Sequence, residues 1–149
     1  MIRRFKFEDE IYKTLTCVPM AVRRKLDSLG LKISLDQWQK LGRGERLAIC
    51  HLPIESAEER DAIALFIDEV VRNRCGSAVK PLSEESRRAA DPPASLPPIL
   101  VTIAKAHGFE LAQPVWDRLD EDERYALMKL GGGTETSHNF RAALLEFLK

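Results

Sequence analysis

Apolar positions recur at helical rather than strand spacing over most of this chain. After Pro19, the segment MAVRRKLDSLG places Val22, Leu26 and Leu29 on one face, and Gly30 stands where a helix closes in a left-handed cap. Ser34 opens a second short helix carrying Leu35, Trp38 and Leu41, which Gly42 and Gly44 interrupt. A third, ERLAICHL, is ended by Pro53. Ser56 and Glu59 have the spacing of a capping box, and Ile63, Phe66, Ile67 and Val70 form a stripe behind it. Together they predict a helix over 57–74 that stops near Cys75–Gly76. Upstream, Phe5-Lys6-Phe7-Glu8 alternates and predicts a short extended arm pinned by its two phenylalanines. Residues 77–95 hold Pro81, Pro92 and Pro93 and read as a connector between two halves.

The pattern then begins again. Trp38 and Trp116 lie 78 positions apart, and the same offset places Pro19 on Pro97, Gly30 on Gly108, Leu41 on Leu119 and Glu45-Arg46 on Glu123-Arg124. These are punctuating and core positions, so the match describes one helical unit used twice, over about 18–75 and 96–149. The second copy ends in a helix over about 137–148, reached through a flexible link at Gly131-Gly132-Gly133. The expected architecture is all-α: a single compact helical domain over 1–149, with two degenerate repeats of about seven to eight helices whose Trp-bearing faces pack around a pseudo-twofold axis. One unit alone is not expected to bury its apolar face. Arg23, Arg24 and Lys25 of the first copy become Val101, Thr102 and Ile103 in the second, whose first helix is therefore either more buried or a partner contact.

Charge refines the picture. Lys and Arg total 23 against 23 Asp and Glu, which argues against general affinity for nucleic acid or an anionic membrane. The balance is uneven: residues 1–52 carry 11 basic and 6 acidic side chains, and the remainder is mildly acidic. The basic third is either complementary to the rest of the chain or a docking face. Three cysteines without CxxC spacing are no disulfide framework and fit a reducing compartment. Neither a signal peptide nor a membrane span is legible, so the expected location is cytoplasmic.

No constellation announces a reaction, and no catalytic, cofactor-binding or metal-binding residue is assigned. Cys50 and His51 are neighbours whose side chains diverge on a helix, and the irregular spacing does not suit a metal. Cys17 is the best thiol candidate, next to a helix start that would favour the thiolate, yet without an identifiable base it reads as a core cysteine. The glycine run lacks the Lys-Ser/Thr continuation of a phosphate loop. SLDQWQKLGRGERL has the outline of a helix-turn-helix, but its Trp and Leu face a core in both copies.

Phe5-x-Phe7-Glu8, Leu15-x-Cys17-x-Pro19-Met20, Val22-Arg23-x-Lys25-Leu26-Asp27 and Gly30-x-Lys32, with Trp38 and the later Trp116-x-x-Leu119, resemble the small conserved nitrate reductase-associated protein family. The likeness runs over nearly the whole chain and is most specific from Cys17 to Trp38. It implies a non-catalytic accessory protein that supports maturation or activity of assimilatory nitrate reductase, partnered by that enzyme or its assembly machinery. The matching polar positions on or beside the first helix, Arg23, Lys25, Asp27 and Lys32, are the candidate partner-binding residues, while Cys17, Pro19, Met20 and Trp38 read as structural. A nucleic-acid-binding regulator and a thiol-dependent redox protein using Cys17 are the alternatives, and a homodimer is compatible with each.

Overall fold

The computed structural model describes residues 3–132 and 138–148. Among these the chain is all-α, as its periodicity implies, with ten α-helices and one ladder of two-residue strands. It separates into two compact units. The first comprises Glu8–Ala90 with the residues up to Arg4, and the second Phe5–Phe7 with the residues from Asp91 onward.

The first unit holds α1 (Asp9–Thr14), α2 (Met20–Leu29), β1 (Leu31–Lys32), α3 (Leu35–Lys40), α4 (Arg43–His51), α5 (Ala57–Cys75), β2 (Lys80–Pro81) and α6 (Glu84–Arg88). The expected punctuation is present. Gly30 and Gly76 close α2 and α5 at φ +74° and +72°, a region open to glycine at little cost. Ser34 with Gln37, and Ser56 with Glu59, form reciprocal capping boxes at α3 and α5. Val22, Leu26, Trp38, Ile49, Ile63 and Ile67 meet in one apolar cluster. Helix α4 starts two residues before the expected Glu45 and carries Gly44 within it.

Two expectations fail here. Residues 5–8 are not an extended arm: Lys6–Glu8 is a 3-10 turn leading into α1. The turn brings the buried Glu8 carboxylate to the start of α2, where its Oε2 accepts from the Met20 amide at 2.8 Å. An acid there satisfies an otherwise orphaned donor and the positive helix end. The connector is not a plain crossover either. Leu31 pairs with Pro81 and Lys32 with Lys80, the Leu82 amide donates to Gly30 O, and Arg24 Nε donates to Ala90 O at 2.9 Å. With α1 and α6 added, the helices number ten among the described residues rather than seven or eight.

The second unit holds α7 (Pro98–Ala106), α8 (Gln113–Arg118), α9 (Glu121–Gly131) and α10 (His138–Phe147) around Leu100, Trp116, Leu127, Phe140 and Leu144. Phe5 and Phe7 stack at 5.4 Å between ring centroids, and both rings reach Phe147, so the two phenylalanines are pinned as expected. Gly131 is not a flexible link. It is the buried last residue of α9, where an added Cβ would stand 2.6 Å from Leu100 Cδ2 and 3.2 Å from Phe140. Gly133 and residue 137, the expected start of the last helix, lie outside the described residues. Helix α7 is not the more buried first helix: Ile99 is 60% exposed and Val101 37%.

Some local hydrogen bonds recur at positions 78 apart. Leu41 N donates to Trp38 O, and Leu119 N to Trp116 O. Each Trp is fully buried and belongs to the apolar cluster of its own unit. Each indole N–H also donates to a carbonyl 23 residues upstream, Trp38 to Leu15 at 2.8 Å and Trp116 to Pro93 at 3.0 Å. The Asp120–Glu123 box at α9 is complete, whereas at α4 only the half from Gly42 N to Glu45 Oε1 can form, because glycine has no side chain.

Candidate functional site: the turn into the basic first helix

The stretch that leads from α1 into α2 is built around Leu15. This residue ends α1 at φ +54°, a left-handed conformation rare for a side chain of its kind, and it is fully buried. Such strain persists only where the surroundings fix it. Here the Leu15 carbonyl accepts from both the Trp38 indole and Arg46 Nη1, each within 2.9 Å. Arg43 Nη1 donates to Lys13 O and Gln39 Nε2 to Thr16 O, so the whole end of α1 is held by α3 and α4.

The turn delivers Cys17 to the surface just before Pro19, which caps α2. Cys17 is exposed, so its expected place in the core is wrong. The short Leu15–Pro19 link buries Leu15 and Val18 and turns the two positions between them, Thr16 and Cys17, outward. Cys50 and Cys75 are buried and half-buried, and burial raises the Cys50 thiol pKa against the opposing effect of Lys25. Among the described residues no three His, Cys, Asp or Glu side chains are placed to hold a metal ion.

The four candidate partner-binding residues part company. Arg23 is exposed, with Nε 3.4 Å from Val18 O. Lys32 is exposed on β1 directly opposite Lys80. Two like charges face each other there, an unfavourable cross-strand pair unless something anionic lies nearby. Asp27 is half-buried and engaged within the protein. Lys25 points inward. Its ammonium donates to the carbonyls of Ile49 at 2.9 Å, Cys50 at 3.1 Å and Leu52 at 2.6 Å, closing the C-terminal end of α4. A cation suits that negative helix end, although burial pulls its pKa below the usual lysine value. Arg60 does the same for α2, donating to Ser28 O at 2.6 Å.

Sequence reasoning missed Arg43 and Arg46. Glu45-Arg46 was visible as a repeated pair, but the target of the arginines depends on how α1 ends. Both turn back onto α1 rather than outward along α4, the second helix of the helix-turn-helix outline. No helix among the described residues is long and apolar enough to cross a membrane.

A family model described as conserved nitrate reductase-associated protein matches residues 4–147. No curated protein and no solved structure matches the chain.

Proposed function

This chain belongs to the conserved nitrate reductase-associated protein family, and on that premise we propose that it is a non-catalytic accessory protein of nitrate reductase, supporting maturation or activity of the enzyme through direct protein contacts. The family match over residues 4–147 carries the reading. The exposed basic side chains beside α2, Arg23 and Lys32, are the contact residues it favours. Lys25 acts through the fold instead, by holding the end of α4. The inward turn of Arg43 and Arg46 supports a protein partner over a nucleic acid, because duplex binding depends on cations free to meet phosphates.

The test is genetic. A strain lacking this protein should lose a substantial part of its nitrate reductase activity during growth on nitrate, and the wild-type chain should restore it. Arg23→Glu combined with Lys32→Glu should restore less at equal protein level. Unchanged activity in the deleted strain would refute the proposal. The exposure of Cys17 favours a second reading, in which its thiol takes part in the work. Cys17→Ser separates the two: full complementation rejects the thiol reading, and failure with normal folding supports it.

A further inference from the structure

Most cations of the first unit are engaged within it. Lys13, Lys40, Arg72 and Arg74 pair with carboxylates, and Lys25, Arg43, Arg46 and Arg60 donate to carbonyls. Lys32, Lys80 and Arg87 differ. Each is exposed, and its side chain makes no hydrogen bond or ion pair to another described residue. The fold brings these three together.

The Leu82 amide donates to Gly30 O, and Leu31 pairs with Pro81 beyond it. Alternation along an antiparallel ladder then makes Lys32–Lys80 a hydrogen-bonded pair, with Cα atoms about 5.5 Å apart. Pro81, which lacks an N–H, occupies the position between that needs none. Leu31 and Val79 turn toward the apolar cluster, so Lys32 and Lys80 share the opposite face. Arg87 lies across Gly30, where an added Cβ would stand 3.2 Å from Nη1 and 3.3 Å from Cζ and Nε. Near-equal distances to three atoms of one plane mean that the guanidinium lies flat on the glycine. Its in-plane N–H groups therefore point along the surface, open to an acceptor. The carboxylate beside β2, Asp68, is already taken by Arg72 and the Val79 amide.

We infer that this face docks an acidic segment of a partner protein, with one carboxylate held by Arg87 and another between Lys32 and Lys80. A guanidinium fork matches a carboxylate through two parallel bonds. An anion between the lysines relieves a cross-strand repulsion that the free protein carries. Gly30 and Lys32 are two residues apart, which is also the spacing of side chains on one face of an extended segment. Glu84 and Glu85 stand on the same short helix as Arg87, which suits a few carboxylates rather than the continuous polyanion of a nucleic acid. The inference rests on the reading of the chain as a protein-binding accessory. It extends the contact from Lys32 to two residues outside the motifs that carry the family resemblance.

The probe is a blocked hexaglutamate peptide, titrated at low salt into the full isotope-labelled chain and followed by amide chemical shifts. Saturable shifts are expected at Lys32, Lys80 and Arg87, lost at high salt and absent with hexaglutamine. Lys80→Glu should abolish them while the melting temperature stays level or rises, because an opposite-charge pair replaces a like-charge one. Arg87→Lys keeps the charge but loses the fork, and should weaken binding by about two- to fivefold. Absence of shifts at millimolar peptide, or binding indifferent to Lys80→Glu, would overturn the proposal. So would inorganic phosphate or a short DNA duplex that occupies the face more tightly than the peptide. No nitrate reductase enters this titration, so its failure removes the acidic segment and leaves the accessory reading standing. Unchanged nitrate reductase activity in the deleted strain does the reverse.

Discussion

Leu15 sits in a conformation that costs an L-residue roughly 1–2 kcal/mol, and its carbonyl is held by Trp38 and Arg46. Glycine normally destabilises relative to alanine, but at positive φ the order reverses. Urea unfolding should therefore find Leu15→Gly at least as stable as Leu15→Ala, both below the wild type by about 2–5 kcal/mol for the lost buried side chain. A clearly less stable glycine variant would show that the strain is absent. Lys25 is the second residue whose role is tertiary. Lys25→Met keeps the stem and removes the donors to three carbonyls at the end of α4, and should lower stability by about 1–3 kcal/mol while leaving Arg23 and Lys32 in place. Neither role was legible in the sequence. A lysine that caps a helix 24 residues away in sequence has no local signature, and nothing about a leucine announces a left-handed φ. Gly30, Ser34 and Ser56 were legible because a cap is decided within a few residues of itself.

Among the elements, those with a clear apolar stripe were readable: α2, α3, α5 and the first three helices of the second unit. Helices α1 and α6 span six and five residues with no buried position in either. They leave no periodic trace, because contacts with α2, α3 and α4 hold them rather than their own amphipathicity. Gly131 shows the opposite error, a turn residue by type that is a packing residue by position. Gly131→Ala gains helix propensity but drives a methyl into Leu100 and Phe140, so calorimetry should find a loss of about 1–3 kcal/mol. A gain would mean that α7 and α9 can part without cost. At α4, the Gly42 amide holds the Glu45 carboxyl below its ordinary 4.5, with Arg74 adding to the effect. A carboxyl depressed by folding stabilises the native state above its unfolded value, and that contribution disappears as pH falls through the folded value. The Glu45→Gln variant should therefore lose less stability than the wild type between about pH 5 and pH 3. Parallel losses in melting temperature would remove Glu45 from the acid response.

For the molecule as a whole, the uneven charge becomes interpretable once the side chains are placed. Part of the basic excess of residues 1–52 is spent internally, in Lys25, Arg43 and Arg46, while Arg23 and Lys32 remain exposed. The resemblance visible from Cys17 to Trp38 covers the start of α2 at Pro19, the capping lysine and the buried indole, so its most specific stretch is largely a description of how the first unit is held together. The central claim, direct contact with nitrate reductase, is most simply tested by sedimentation velocity of the purified chain mixed with nitrate reductase from the same cells. The account predicts a complex at low salt that dissociates as ionic strength rises and is weakened by Arg23→Glu with Lys32→Glu. Two species that sediment independently at every salt concentration would contradict it.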